Sequence, residues 1–183
     1  MLKMFAAAVV ASLVALVPGV ASAQDANDGI LCVYDAVSQD YETVAEAFLY
    51  GEGTDTADAL LDKAAQSCSD QFKFSENETS AARDLAMYGV SIDYLSDALS
   101  FMDASDEAID GVFDIYNGLG ADEIDLLYDT DWRDDANFLA GLKAKLLQAG
   151  FPDDEEGLSM AYDIFEISAL ADDAMFSFAL GDE

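Results

Sequence analysis

Four aspartates stand close together around Trp132 and Arg133, and their spacing could support the binding of a metal ion. Carboxylates at positions i, i+2 and i+5 can surround a hard cation such as calcium, which prefers six to eight oxygen ligands. The EF-hand pattern is not met, because the sixth loop position is not glycine and the twelfth is not glutamate. The candidate calcium ligands are Asp129, Asp131, Asp134 and Asp135.

A purely structural interpretation accounts for the same four aspartates. Asp131 would cap a helix that begins at Trp132, Arg133 would pair with a neighbouring acid, and the remaining carboxylates would lie near the positive end of that helix. We favour this interpretation, and we therefore expect neither a metal ion nor a cofactor.

The chain has no histidine, and this excludes several kinds of catalytic site. A Ser-His-Asp triad, a Cys-His pair and every histidine-ligated zinc or haem site need that side chain. Two facing carboxylates could still hydrolyse a glycosidic bond. However, 38 acidic residues produce many accidental pairs, and none stands out in the sequence. We expect a non-enzymatic protein, and a carboxylate-dependent hydrolase of envelope polysaccharide is one alternative.

Cys32 and Cys68 are the two cysteines of the chain. Two cysteines in an exported protein usually form one disulfide, whereas the CxxC spacing of redox enzymes is absent. Buried, reduced thiols are the alternative. The export signal described below favours the disulfide.

The charge of the chain is strongly negative, with 38 acidic residues, 7 basic residues and a net charge of −31. Such a surface repels phosphate backbones and anionic lipid headgroups, so nucleic-acid and membrane-surface roles are disfavoured. It attracts cations and basic proteins. Solubility or adaptation to salt would explain the same composition without any partner.

The first 23 residues have the form of a cleavable secretory signal peptide. Lys3 supplies a positive charge, an apolar stretch follows over 5–17, and Ala21-Ser22-Ala23 offers small residues for cleavage before Gln24. A retained membrane anchor would need about 20 apolar residues, which is longer than this stretch. We expect bacterial export to the periplasm or the medium, with no membrane insertion after cleavage.

Residues 24–183 are expected to form a single all-α domain, a bundle of six or seven helices. Apolar residues recur at steps of three and four, which is typical of amphipathic helices. A capping box at Ser75 and Glu78 marks the start of the clearest helix, and the last helix is expected to be the most buried. The predicted helices span about 29–50, 55–72, 76–102, 106–117, 122–128, 132–149 and 154–180.

The first two predicted helices are expected to form an antiparallel hairpin. Cys32 lies near the start of the first helix and Cys68 near the end of the second, so a turn at Gly51-Glu52-Gly53 would bring the cysteines together. The predicted disulfide and the predicted hairpin therefore support each other.

Many aromatic residues fall at helical spacing, which favours packing in the core over the lining of a ligand pocket. The residues concerned are Tyr34, Tyr41, Tyr88, Tyr94, Phe101, Phe113 and Tyr116. Burial is also favoured over an exposed docking patch for Met175, Phe176 and Phe178. The sequence thus predicts a non-enzymatic binding or interaction protein with a basic protein or a cation as its partner; a calcium-binding protein is a further alternative.

Overall fold

The computed structural model describes the backbone of residues 23–102, 104–129 and 131–181, and side chains from Gly29 onward within these ranges. Residues 1–22 of the predicted signal peptide lie outside the described residues. Within the described ranges the regular secondary structure is entirely helical, as predicted, and a short 3₁₀ turn spans Trp132–Asp134. The eight α-helices of the described ranges are α1 Ala23–Val37, α2 Tyr41–Tyr50, α3 Thr54–Phe72, α4 Glu76–Phe101, α5 Asp106–Asn117, α6 Ala121–Leu127, α7 Ala136–Gln148 and α8 Glu155–Leu180.

The first predicted helix is two helices, so the expected number of six or seven is too low by at least one. The break falls at residues 38–40, where the Ser38 hydroxyl donates a hydrogen bond to the carbonyl oxygen of Asp35 at 2.9 Å. The backbone N–H of Asp40 donates to the carbonyl oxygen of Val37 at 2.9 Å. The Ser38 side chain competes with helical hydrogen bonds in this way, and the chain turns although its apolar spacing continues.

The turn between α2 and α3 is built on glycine. Gly51 has a φ of 73° and Gly53 has a φ of 68°, and both values fall in the left-handed region that side chains with a Cβ rarely adopt. The N–H of Gly51 donates to the carbonyl oxygen of Ala47 at 3.0 Å, so the glycine closes the last turn of α2. The predicted end of the helix at this position is confirmed.

Cys32 and Cys68 form the predicted disulfide, which joins α1 to α3 with a Cα–Cα distance of 5.9 Å. Cys68 is buried with an exposed fraction of 2%. Around it lies the first hydrophobic cluster, which takes residues from α1, α2, α3 and the part of α4 up to Val90. Its fully buried members include Val33, Val37, Val44, Leu61, Ala82 and Val90.

The second hydrophobic cluster joins the last part of α4 to the helices that follow it. Its most bulky fully buried side chain is Phe165 of α8, and Leu95, Leu99, Val112 and Leu142 belong to the same cluster. Among the described helices, α8 buries the largest number of residues, with ten against seven in α4. By number of buried residues the last helix is the most buried of the described helices, as predicted, while the shorter α5 buries a slightly larger share, five of its twelve residues.

Helix α4 belongs to both clusters. The predicted apolar line from Ala81 to Leu99 faces the core, with Leu95 and Leu99 fully buried. A second line of small residues on the other side is buried as well, at Ala82, Ala86 and Val90. These small side chains allow α4 to pack closely on α1 and α3 while its larger residues contact α8.

The predicted capping box begins α4. The Ser75 hydroxyl accepts a hydrogen bond from the N–H of Glu78 at 3.1 Å, and the Glu78 carboxylate accepts one from the N–H of Ser75 at 2.7 Å.

Ser75→Ala is expected to lower the free energy of unfolding by about 1 kcal/mol, because the N–H of Glu78 loses its acceptor. Urea denaturation measures this loss. Ser75→Asp, which keeps an acceptor, should retain most of the stability, and equal losses in both variants would contradict the capping role.

Candidate functional site

The four candidate calcium ligands lie in an exposed segment between α6 and α7. The Asp135 carboxylate accepts hydrogen bonds from the N–H groups of Asn137 and Phe138, each at 3.0 Å. Asp135 is therefore the N-cap of α7, and the expectation that Asp131 caps a helix from Trp132 is wrong. Asp131 instead precedes the 3₁₀ turn and makes no side-chain cap.

Arg133, the basic residue of this segment, forms salt bridges with a helix that is distant in the sequence. Arg133 Nη2 lies 2.5 Å from Asp163 and 3.0 Å from Glu166, both on α8, so the expectation of a local partner is wrong. The indole N–H of Trp132 donates to the same Glu166 carboxylate at 3.2 Å. These contacts fix the segment against α8.

Within the described ranges, no group of three or more acidic or cysteine side chains is arranged to hold a metal ion. The four candidate ligands Asp129, Asp131, Asp134 and Asp135 therefore do not form such a group. The calcium-binding alternative stays a prediction, and a calorimetric titration with calcium tests it. Heat from a saturable binding event would support it, and a flat titration would contradict it.

Carboxylates that are partly buried occur elsewhere, each beside a tyrosine from another helix. The Tyr34 hydroxyl donates a short hydrogen bond to Asp93, and the Tyr116 hydroxyl donates to Asp172 at 2.6 Å. Burial raises the pKa values of both aspartates, and the tyrosine hydrogen bonds oppose that rise only in part. A third pair joins Tyr41 to Asp97 at 3.0 Å, and burial together with this bond raises the pKa of Tyr41 to about 12.

Stability is expected to increase as the pH falls from 7 towards the ordinary carboxyl pKa of about 4. Because the pKa values of Asp93 and Asp172 are raised on folding, the folded state binds protons more tightly than the unfolded state. Their contribution is complete below the ordinary carboxyl pKa of about 4 and is lost as the pH rises through the raised values. A higher urea midpoint near pH 4 than at pH 7 is the expected measurement.

Repulsion among the many surface carboxylates acts in the same direction, so a matched pair of variants is needed. Asp93→Asn mimics the neutral acid and keeps an acceptor for Tyr34, whereas Asp110→Asn removes the same charge from an exposed position. The first variant should reduce the pH dependence more than the second does. An equal reduction in both variants would show that the general surface charge alone controls the pH dependence of stability.

A cleft of about 360 Å³ lies between the first half of α4 and the second half of α8. We call it the α4–α8 cleft. One face of α4 and one face of α8 line the cleft, and the main lining residues on each helix are spaced three or four positions apart. The polar lining residues are Asn77, Ser80, Asp84, Tyr88, Asp173 and Ser177, and the apolar ones are Ala81, Leu170, Ala174 and Leu180.

Two carboxylates of the α4–α8 cleft come from opposite helices. Asp84 keeps an exposed side-chain fraction of 40%, and burial raises its pKa. Asp173 on α8 is exposed. Burial raises the pKa of Tyr88, and the charges of Asp84 and Asp173 raise it further, so both carboxylates act on the same hydroxyl. The cleft thus has negative and apolar residues in its lining.

The positive charge nearest to Asp84 is directed mainly towards other acids. Arg83 contacts Asp58 at 2.5 Å and Asp62 at 2.8 Å, both on α3. Its distance to Asp84 is 3.8 Å, which is long for a charged hydrogen bond. Arg83 therefore neutralises the negative charge of Asp84 only weakly.

The aromatic residues only partly follow the packing interpretation. Tyr116 is buried, as predicted, but Tyr88 lines the α4–α8 cleft. Phe101 has an exposed fraction of 89% and Phe176 one of 60%, so the expectation of burial is wrong for both. Phe178 is half-buried and its ring packs edge-on against Phe74, with centroids 5.0 Å apart.

Sequence reasoning missed the α4–α8 cleft. Asp84 and Asp173 stand on polar faces of their helices and resemble many other surface acids in spacing. A useful signal was present in Ala81 and Ala174, since small residues beside a carboxylate leave room between two packed helices. The sequence did not indicate which two helices face each other there.

None of the described helices is long and apolar enough to cross a membrane. Comparisons of the chain with protein-family models, with curated proteins and with solved structures give no match.

Proposed function

We propose that the chain is an exported, non-enzymatic binding protein whose acidic surface engages a basic partner. The observation that carries this proposal is the charge. With 38 acidic and 7 basic residues, at least 31 carboxylates have no countercharge of their own even if every base pairs once. A surface of this kind accelerates encounter with a positively charged partner and disfavours acidic ones.

The distribution of the bases supports the proposal. Arg83, Arg133, Lys143 and Lys145 each lie within 4.0 Å of at least one carboxylate. Arg83 and Arg133 connect helices, whereas much of the remaining acidic surface has no such partner. The arrangement stabilises the fold with few cations and leaves the negative surface available.

Affinity capture at low salt tests the proposed partner. The mature protein would be immobilised and exposed to an envelope extract of the source organism, with an unrelated protein of similar isoelectric point as the control. We expect a basic protein to be retained by this chain and not by the control, and to be released as salt rises. Retention of the same proteins by both would contradict a specific partner.

Export is the second part of the proposal, and the disulfide supports it because such bonds persist in oxidising compartments. The mature chain would comprise residues 24–183 as one acidic helical domain. Mass spectrometry of the protein isolated from its host should give Gln24 as the first residue. Retention of the first 23 residues in a cytoplasmic fraction would overturn this part.

We also propose that α1 and α3 run antiparallel, which is the hairpin expected from the sequence in a modified form. The order of contacts supports it, because Gly29 lies against Phe72 and Cys32 is bonded to Cys68. NMR cross-peaks from Val37 should then reach Leu61 and Ala64, which are buried in the same cluster. Cross-peaks from Val37 to the region of Lys73 would indicate a parallel arrangement.

One observation favours a second candidate function, the hydrolysis of an envelope polysaccharide. The α4–α8 cleft contains two carboxylates from facing helices, and burial raises the pKa of one of them, as a general acid requires. Asp84 would protonate the leaving oxygen, and Asp173 would act as the base or nucleophile. Release of reducing ends from peptidoglycan or envelope glycans by the protein, lost in Asp84→Asn, would support this function. No release by the unmodified protein would exclude these substrates.

A further inference from the structure

We infer that the α4–α8 cleft receives a lysine side chain of the basic partner, so that the cleft is the specific part of an otherwise diffuse acidic surface. This inference rests on the proposed function and identifies where on the surface recognition occurs.

The size of the cleft suits an extended side chain better than a folded segment. A volume of about 360 Å³ is near the lower end of the range for small-molecule sites. A lysine side chain with its own backbone would fill much of that space. A helix would need a long groove that extends beyond the two helical faces lining the cleft.

The lining matches both parts of a lysine side chain. Leu170 and Ala174, one helical turn apart, offer apolar surface on which the methylene groups can pack. Asp84 and Asp173 offer carboxylate oxygens from opposite sides, and an ammonium group can donate three hydrogen bonds. Ser80 and Ser177 add hydroxyl acceptors in the same lining.

The charge state of the cleft favours a cation over a neutral ligand. Asp84 is partly removed from water, and its nearest cation, Arg83, is bound to Asp58 and Asp62 on α3. A carboxylate in this position gains from an incoming positive charge more than a fully hydrated one does. Tyr88 presents a ring that can also contact an ammonium group.

A peptide titration tests the inference. The isotope-labelled mature protein would be titrated with an acetylated, amidated Gly-Gly-Lys-Gly-Gly peptide and followed by NMR at physiological salt. We expect saturable shifts concentrated between Ser80 and Tyr88 and between Leu170 and Leu180. The same peptide with norleucine in place of lysine should not bind, because it keeps the methylene groups and lacks the charge.

Three variants separate the cleft from the general acidic surface. Asp84→Asn and Asp173→Asn should each weaken binding of the lysine peptide about tenfold, because each removes one carboxylate that faces the ammonium group. Asp110→Asn removes the same charge from an exposed position of α5 and should leave the affinity within about twofold. Shifts spread evenly over the acidic surface, or equal effects of all three variants, would overturn the inference.

A lysine-rich polypeptide of about twenty residues and free pentane-1,5-diamine complete the test. Tight binding of the polypeptide that is unaffected by Asp84→Asn and Asp173→Asn would keep the proposed function and reject the cleft. Binding of neither the polypeptide nor the short peptide would reject both. Diamine binding as strong as that of the lysine peptide would assign the cleft to free amines and overturn the proposed partner contact.

Discussion

Loss of the Cys32–Cys68 disulfide is expected to lower the free energy of unfolding by about 3–4 kcal/mol. The bond closes a loop between cysteines 36 positions apart, and its absence allows the unfolded chain many more conformations. Cys32→Ser/Cys68→Ala is the suitable variant, because Cys32 is half-buried while Cys68 is buried in an apolar cluster that would not accommodate a hydroxyl. Urea denaturation of the two proteins at pH 7 measures the difference.

Reduction of the unmodified protein provides a control without any substitution. The reduced protein should unfold at a urea concentration close to that of the double variant. In the reduced protein and in the double variant, the free energy of unfolding should also fall more steeply with urea concentration than in the oxidised protein. An unfolded chain without the bond exposes more surface. Equal midpoints for the oxidised protein and the double variant would show that the bond contributes little.

Phe165→Ala is expected to destabilise the protein by about 3–5 kcal/mol. Phe165 has an exposed fraction of 0% and lies in the second hydrophobic cluster, where it is the bulkiest fully buried side chain. Truncation removes its transfer free energy and leaves a cavity that neighbours on several helices cannot fill by small movements. The change should appear as a lower denaturation midpoint.

Phe101→Ala is the matched control for this truncation. The same atoms are removed, but Phe101 has an exposed fraction of 89%, so little apolar surface returns to water. Its stability should stay within about 0.5 kcal/mol of the unmodified protein. A loss at Phe101 comparable to that at Phe165 would show that Phe101 is buried in solution, for example against a second copy of the chain.

Several parts of the fold could be predicted because the signals are local. The bounds of α5 agree with the prediction at both ends, since Ser105 caps its start and Gly118 follows its end. The capping box at Ser75 is present as predicted. The disulfide was predicted from the form of the first 23 residues, which resemble an export signal, and from the presence of two cysteines, so no knowledge of long-range packing was needed.

The remaining features depend on which helices meet. The apolar spacing runs without interruption across 38–40, and the break there results from hydrogen bonds of Ser38 and Asp40 that the spacing does not reveal. Arg133 has acidic neighbours in the sequence but binds Asp163 and Glu166 across the fold. Asp84 and Asp173 come together only because α4 packs on α8, and that pairing is tertiary information.

One side of helix α4 belongs to the first hydrophobic cluster and another side belongs to the second, so the two clusters are expected to unfold cooperatively. Separation of the two clusters would expose Ala82, Ala86 and Val90 on one side of the helix or Leu95 and Leu99 on the other. Because one continuous helix carries both sets, neither cluster can melt without removing part of the other's packing. A cross-link located in the first cluster therefore also protects the second against local opening, and the described helices from α1 to α8 are expected to exchange their most protected amide hydrogens as a single unit.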